Sequence, residues 1–184
     1  LELLQRRDGF FAFESALRFF PSSPVPVSYG VLDWNANSLW ACEFGDMCKD
    51  CFFFAEDIFG RQFGISGDEV VAFDPETGEQ RLFANSLEAW AENVLADFNV
   101  VTGYPLAHEW QSVNGRLAGR DRLVPKIPFV AGGTYSLENL VSIDAVEGMR
   151  ARGKFARQIR DLPDGAQIRF QFVHNNNNTR TSTK

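Results

Sequence analysis

CFFFAEDIFGRQFGISGDEVVAFDPETGEQRLFA, residues 51–84, decides how this chain folds. Cys51 to Ala55 is an unbroken apolar run, as a strand buried on both faces requires. Phe63 to Ser66 reads as a second strand, with Ser66-Gly67-Asp68 as the tight turn after it, and Val70 to Phe73 as a third. In Asp74-Pro75-Glu76-Thr77-Gly78 the proline presets φ and the glycine accepts a positive φ, so the chain turns. Arg81 to Ala84 then returns as a fourth strand. Short strands joined by such short turns make an antiparallel meander.

Downstream, Asn85 followed by Glu88 has the form of a capping box. Leu87, Trp90, Ala91, Val94, Leu95 and Phe98 then recur at spacings of three and four, one apolar stripe that must lie on the sheet. Gly103 ends this helical region, and Pro105 starts a short helix through Trp110 that Asn114-Gly115 closes. Arg116 to Gly133 reads as a long, charged, proline-rich loop, and Asn139 to Ile143 as an edge strand. Asp144 with Glu147 is a second capping box, opening a basic helix to about Leu162. Ala145, Met149, Ala156 and Ile159 share one face of it, and Gly153 weakens its middle. Ile168, Phe170 and Phe172 alternate with polar residues as a last strand, and residues 175–184 form a polar tail expected to be disordered.

Upstream, Asp8-Gly9 turns into a strand from Phe10 to Glu14, which Leu17 to Phe20 continues or accompanies as another. Pro21, Pro24 and Pro26 make residues 21–37 a loop, and a short helix over Ser38 to Phe44 is stopped by Gly45. The expected class is α+β: a twisted, mainly antiparallel mixed sheet covered by helices, in one domain over residues 1–174.

The size of the chain, 184 residues and 20.7 kDa, suits one such domain, and a hydrophobic content of 45% is enough to build its core. Eighteen phenylalanines, clustered in runs such as Phe10-Phe11 and Phe52-Phe53-Phe54, point to an aromatic interior. No apolar stretch approaches the roughly 20 residues of a membrane helix. Three cysteines are too few for a disulfide scaffold, so a reducing cytoplasm is expected. The net charge of −6 is polarised: residues 1–110 carry 18 acids and 6 bases, whereas residues 111–184 carry 6 acids and 12 bases. Such a field steers charged partners and says nothing about fold.

Catalytic and metal chemistry find little support. Cys48-x-x-Cys51 with Cys42 has zinc-like spacing, but a closed site needs a fourth ligand, and His108 and His174 are distant in sequence. Glu56 and Asp57, adjacent in an extended strand, point to opposite sides and do not jointly flank one substrate bond. Val130-Ala131-Gly132-Gly133-Thr134 lacks a phosphate-loop context. Arg150, Arg152, Lys154, Arg157 and Arg160 make residues 150–160 the best nucleic-acid candidate, yet they are spread around the helix in an acidic protein. No cofactor, no metal and no catalytic residue are therefore expected. Trp34 and Trp40 beside Asp33, Glu43 and Asp46 offer instead the aromatic and acidic anchors suited to a basic protein surface, the alternative being burial of both tryptophans in the core, Trp40 before Trp34.

The Asp8-Gly9-Phe10 turn into strand, the block from Phe52 to Gly60, the strands Phe63-Gly64-Ile65 and Val70-Val71, and the helix carrying Trp90 resemble the SUKH superfamily, and within it the Smi/Knr-type branch called cell-wall assembly regulators. The match covers about residues 8–98; residues 99–174 extend beyond it, and the usual leading helix with its Leu-Pro element is missing, as in a chain trimmed at its N-terminus. The resemblance implies helices over a mainly antiparallel sheet and no catalytic residues. Bacterial members are commonly immunity proteins that bind toxins such as nucleases or deaminases; fungal members are regulatory scaffolds.

The expectation is a cytoplasmic, non-enzymatic immunity-type protein binding a basic toxin, with Asp33, Trp34, Glu43, Asp46, Glu56 and Asp57 as contact residues. Its rivals are a regulatory scaffold for envelope assembly or signalling, an enzyme with residues 116–133 as a lid, and a nucleic-acid binder using residues 150–160.

Overall fold

A computed structural model describes residues 7–163 and 165–168. Six strands, β1 (Phe10–Ala12), β2 (Leu17–Phe19), β3 (Phe52–Asp57), β4 (Gln62–Ser66), β5 (Glu69–Phe73) and β6 (Gln80–Ala84), form one sheet in sequence order. Every neighbouring pair is antiparallel, so the expected meander extends through two further strands at its N-terminal edge. A second, two-stranded sheet pairs β7 (Asp121–Pro125) with β8 (Leu140–Asp144). The fold is α+β, with helices α1 (Val31–Trp34), α2 (Leu87–Ala96), α3 (Phe98–Thr102), α4 (Tyr104–Asn114) and α5 (Ala145–Ile159).

Side-chain alternation along the strands sorts the aromatics onto two faces. On one, Phe20, Phe53 and Phe73 meet Trp34, Trp40 and Phe44 from the 31–48 segment and Val146, Met149 and Ala156 from α5. On the other, Phe19, Phe54 and Phe63 receive Trp90 and Val94 of α2. A register shift between Phe53 and Ala55 lets Phe54 and Ala55 join the same cluster despite being neighbours. A third cluster, with Ala16, Ile58, Ala107, Leu117, Leu123 and Leu140, binds α4 and the small sheet to the end of the large one.

Several local expectations are corrected. Residues 121–125 are a strand, not part of a loop, because β8 supplies their ladder and Arg122 is tolerated in the interior by an ion pair. The 38–44 segment holds a single 3₁₀ turn, Ala41–Glu43, rather than a helix, a second 3₁₀ turn follows at Gly45–Cys48, and the 21–37 loop contains α1. Ser86, not Asn85, caps α2 by accepting from the Ala89 N–H at 3.1 Å. Of its stripe, Leu87, Trp90, Ala91 and Val94 pack on the sheet, whereas Leu95 is exposed and Phe98 opens the next helix. Asp144 caps α5 as expected, but α5 stops at Ile159. Of the last expected strand, only Ile168 lies among the described residues; the 175–184 tail lies outside them.

Candidate functional site

Three of the six expected contact residues are in the interior. Trp34 and Glu56 are fully buried and Asp57 is 1% exposed, so they are not surface contacts. The sheet register sets Arg18 on β2 opposite Glu56 on β3. Arg18 forms an ion pair with Glu56, and Arg122 Nε approaches the same oxygen, Oε1, at 2.6 Å. Gln62, opposite Glu56 on β4, donates to Glu56 Oε2 at 2.9 Å and accepts from Trp34 Nε1 at 2.8 Å. Burial opposes the charge of Glu56, but Arg122 and then Arg18 outweigh it and hold the carboxyl below the ordinary glutamate range. Burial, and then repulsion from Arg18, brings Arg122 down to about 10. Glu56 and Trp34, distant in sequence, are joined through Gln62 in this buried network.

The surface acids fare differently. Asp33 is exposed. Glu43 and Asp46 face the chain's own basic helix: Lys154 Nζ lies 3.9 Å from Glu43, and Arg160 grips Asp46 at 2.5 and 3.1 Å. Arg150 on the same helix donates to the Leu39 carbonyl at 2.6 Å. The acidic first half and the basic second half therefore neutralise each other locally at this seam.

A cleft of about 610 Å³ opens at the end of the sheet. Its walls come from the β3–β4 turn, the β5–β6 turn, the α3–α4 junction and the 129–135 segment, with Arg152 of α5 at its base. Gly103 joins α3 to α4 with φ +70° and sits against the Phe59 ring, a place that suits no side chain. Within the β5–β6 turn, Asp74 Oδ1 accepts from the Glu76 N–H at 2.8 Å, and this Asx turn folds Glu76 back toward the protein. Glu76 is 5% exposed; its Oε2 accepts from the Val130 N–H at 2.9 Å, and its Oε1 is buried without a hydrogen-bond partner. Burial pushes the Glu76 carboxyl above the ordinary range, and the backbone N–H groups of the 129–130 turn and Arg152 only partly offset this.

Beside Glu76 stands an aromatic wall. Phe129 and Tyr135 stack with centroids 3.8 Å apart, and Phe59 meets both rings edge-on. Tyr135 is 66% exposed, and its phenol is raised by burial and then by Glu76, Asp57 and Asp74. The cleft's two cations are engaged elsewhere: Arg61 closes on Asp57 at 3.0 Å and the Val101 carbonyl at 2.6 Å, and Arg152 donates to the carbonyls of Phe59 and Gly148. Among the described residues, Asp74, Glu76 and the rim residue Glu109 form no ion pair.

Glu76, Phe129 and Tyr135 escape the sequence reading. The 74–78 turn was legible, but an acid in a turn reads as exposed, and what buries Glu76 lies 54 residues away. His108 does not meet Glu56; it lies on the surface with Nδ1 2.8 Å from Glu14. Among the described residues, no three His, Cys, Asp or Glu side chains converge as a metal site. Cys48 and Cys51 are pushed up to about 12, chiefly by burial, which disfavours their thiolates. Among those residues, no helix is long and apolar enough to cross a membrane.

No protein-family model matches the chain, and no curated protein matches it. The fold is similar to that in the crystal structure of Atu4351 from Agrobacterium tumefaciens, with a TM-score of 0.54 over 83% of this chain and 73% of that one. At 13% identity, that likeness is one of α+β fold.

Proposed function

We propose that this chain is a non-enzymatic protein-binding module, a SUKH-like immunity protein of the bacterial cytoplasm that neutralises a cognate toxin by direct one-to-one binding. The observation that carries this reading is the cleft end of the molecule, where Asp74, Glu76 and Glu109 gather around an aromatic wall while the acids of the interior are satisfied by the chain's own arginines. A surface of this composition complements a basic one, such as the substrate groove of a nuclease toxin. Arg150, Arg152, Lys154 and Arg160 all contact other parts of the chain, which favours a protein partner over nucleic acid at α5. The proposed contact is therefore the cleft, which Asp57 alone of the six expected contact residues lines.

The test is co-purification with the product of the adjacent gene, followed by rescue of cells expressing that product. Binding with rescue is the expected result. A chain that neither captures nor neutralises any neighbouring product would remove the immunity reading.

A further inference from the structure

Glu76 is built for something the chain itself does not supply. Folding buries its carboxylate and leaves Oε1 unpaired, an arrangement that costs free energy unless a donor arrives. The nearest cations form no ion pair with it: Arg61 donates to Asp57 and the Val101 carbonyl, and Arg152 donates to the carbonyls of Phe59 and Gly148 and to Met149 Sδ, lending Glu76 only longer-range attraction. The residue whose N–H anchors Oε2, Val130, adjoins Phe129, so the carboxylate and the Phe129–Tyr135 stack are held by one short segment. Asp74 and Glu109 add negative charge at the rim without ion-pair partners among the described residues.

A half-exposed aromatic stack beside an unpaired buried carboxylate selects a flat cation that can stack and donate at once. A guanidinium does both; an ammonium is a compact, strongly hydrated point charge that cannot stack. We propose that the cleft is a guanidinium-binding site whose occupant is an arginine side chain of the partner protein, accepted by Glu76 and stacked on Tyr135. The inference rests on the protein-binding reading and names the chemistry of its contact. The cleft's volume, about 610 Å³, leaves room for the side chain and its flanking backbone.

The full chain is titrated, with NMR detection, against N-acetyl-arginine amide, its lysine and citrulline counterparts, and free arginine. Capped arginine should bind saturably in the millimolar range, with shifts at Glu76 and Tyr135, and more tightly than capped lysine. Citrulline, equal in shape but uncharged, should not bind. Glu76→Gln, a near-isosteric change, and Tyr135→Ala should each weaken capped arginine about tenfold; Tyr135→Phe, which keeps the ring, should retain it, as should the remote control Glu69→Gln. Preference for free over capped arginine would assign the site to a small metabolite and overturn the side-chain occupant. Equal binding of citrulline, no saturable binding of capped arginine, or unchanged affinity in both Glu76→Gln and Tyr135→Ala would overturn the site itself. If those two variants still capture and neutralise a toxin as the parent does, the immunity reading stands and this inference falls.

Discussion

Glu56 and Glu76 are both buried glutamates, and their surroundings give them opposite roles. Glu56 is held between two guanidinium groups, with its second oxygen bonded by Gln62. Glu56→Gln leaves Arg18 and Arg122 buried without a counter-charge, and denaturant unfolding should show a loss of about 3–5 kcal/mol. Because the folded carboxyl lies below its ordinary range, the stability it contributes is present above the unfolded glutamate value and is lost as pH falls through the folded one. The variant should therefore lack that part of the parent's acid-induced loss. Glu76 has the reverse sign: its raised carboxyl favours the fold while protonated and loses that advantage as pH rises through the folded value. Glu76→Gln should gain about 1 kcal/mol at neutral pH. Thermal melts should show the gain shrinking on acidification, when the parent's carboxyl is neutral too. Stability given up at a side chain that waits for a ligand is common at binding sites.

At the scale of elements, α5 shows how one glycine can mean two things. From the sequence, Gly153 weakens a helix; in the fold it lets α5 approach the 41–48 segment, for a Cβ there would stand 2.8 Å from Phe44 Cδ2 and 2.9 Å from Glu43 Cβ. Phe44 is fully buried against Trp40 and Phe73 and has nowhere to move. Gly153→Val should therefore lower stability by about 2 kcal/mol, as overpacked core sites do, and near-UV circular dichroism should report the disturbed tryptophans. The meander was legible because period-two alternation and turn residues are local signals. The β7 strand was not, since Arg122 and Pro125 give it the look of a loop, and only Glu56, 66 positions earlier, explains a buried arginine there.

For the whole molecule, the segment after residue 116 completes the core. Arg122 closes the charge network, Leu123 and Leu140 fill the end cluster, and Met149 and Ala156 cover Trp34 and Trp40. A chain ending at Arg116 would keep the six strands but expose that aromatic face and leave Arg18 alone with Glu56. It should lose cooperative unfolding and the dispersed amide spectrum of the full chain; a well-dispersed spectrum would show that residues 10–116 form a core of their own. The polarity of charge along the sequence likewise changes meaning, because Glu43–Lys154 and Asp46–Arg160 bring opposite halves together. At the cleft, by contrast, Asp74, Glu76 and Glu109 form no ion pair among the described residues.

By itself the sequence determined the α+β class, the four-strand meander, the amphipathic helix carrying Trp90 and the capped basic helix, since each follows from residues within a few positions of one another. Only the tertiary structure decided which acids reach the surface. Glu56 and Glu76 carry the same side chain, and neither strand nor turn says that one will be ion-paired with Arg18 and Arg122 and the other buried outside any ion pair among the described residues. Burial and pairing of a charge depend on what the rest of the chain brings to it, and here the decisive neighbours lie between 38 and 66 residues away.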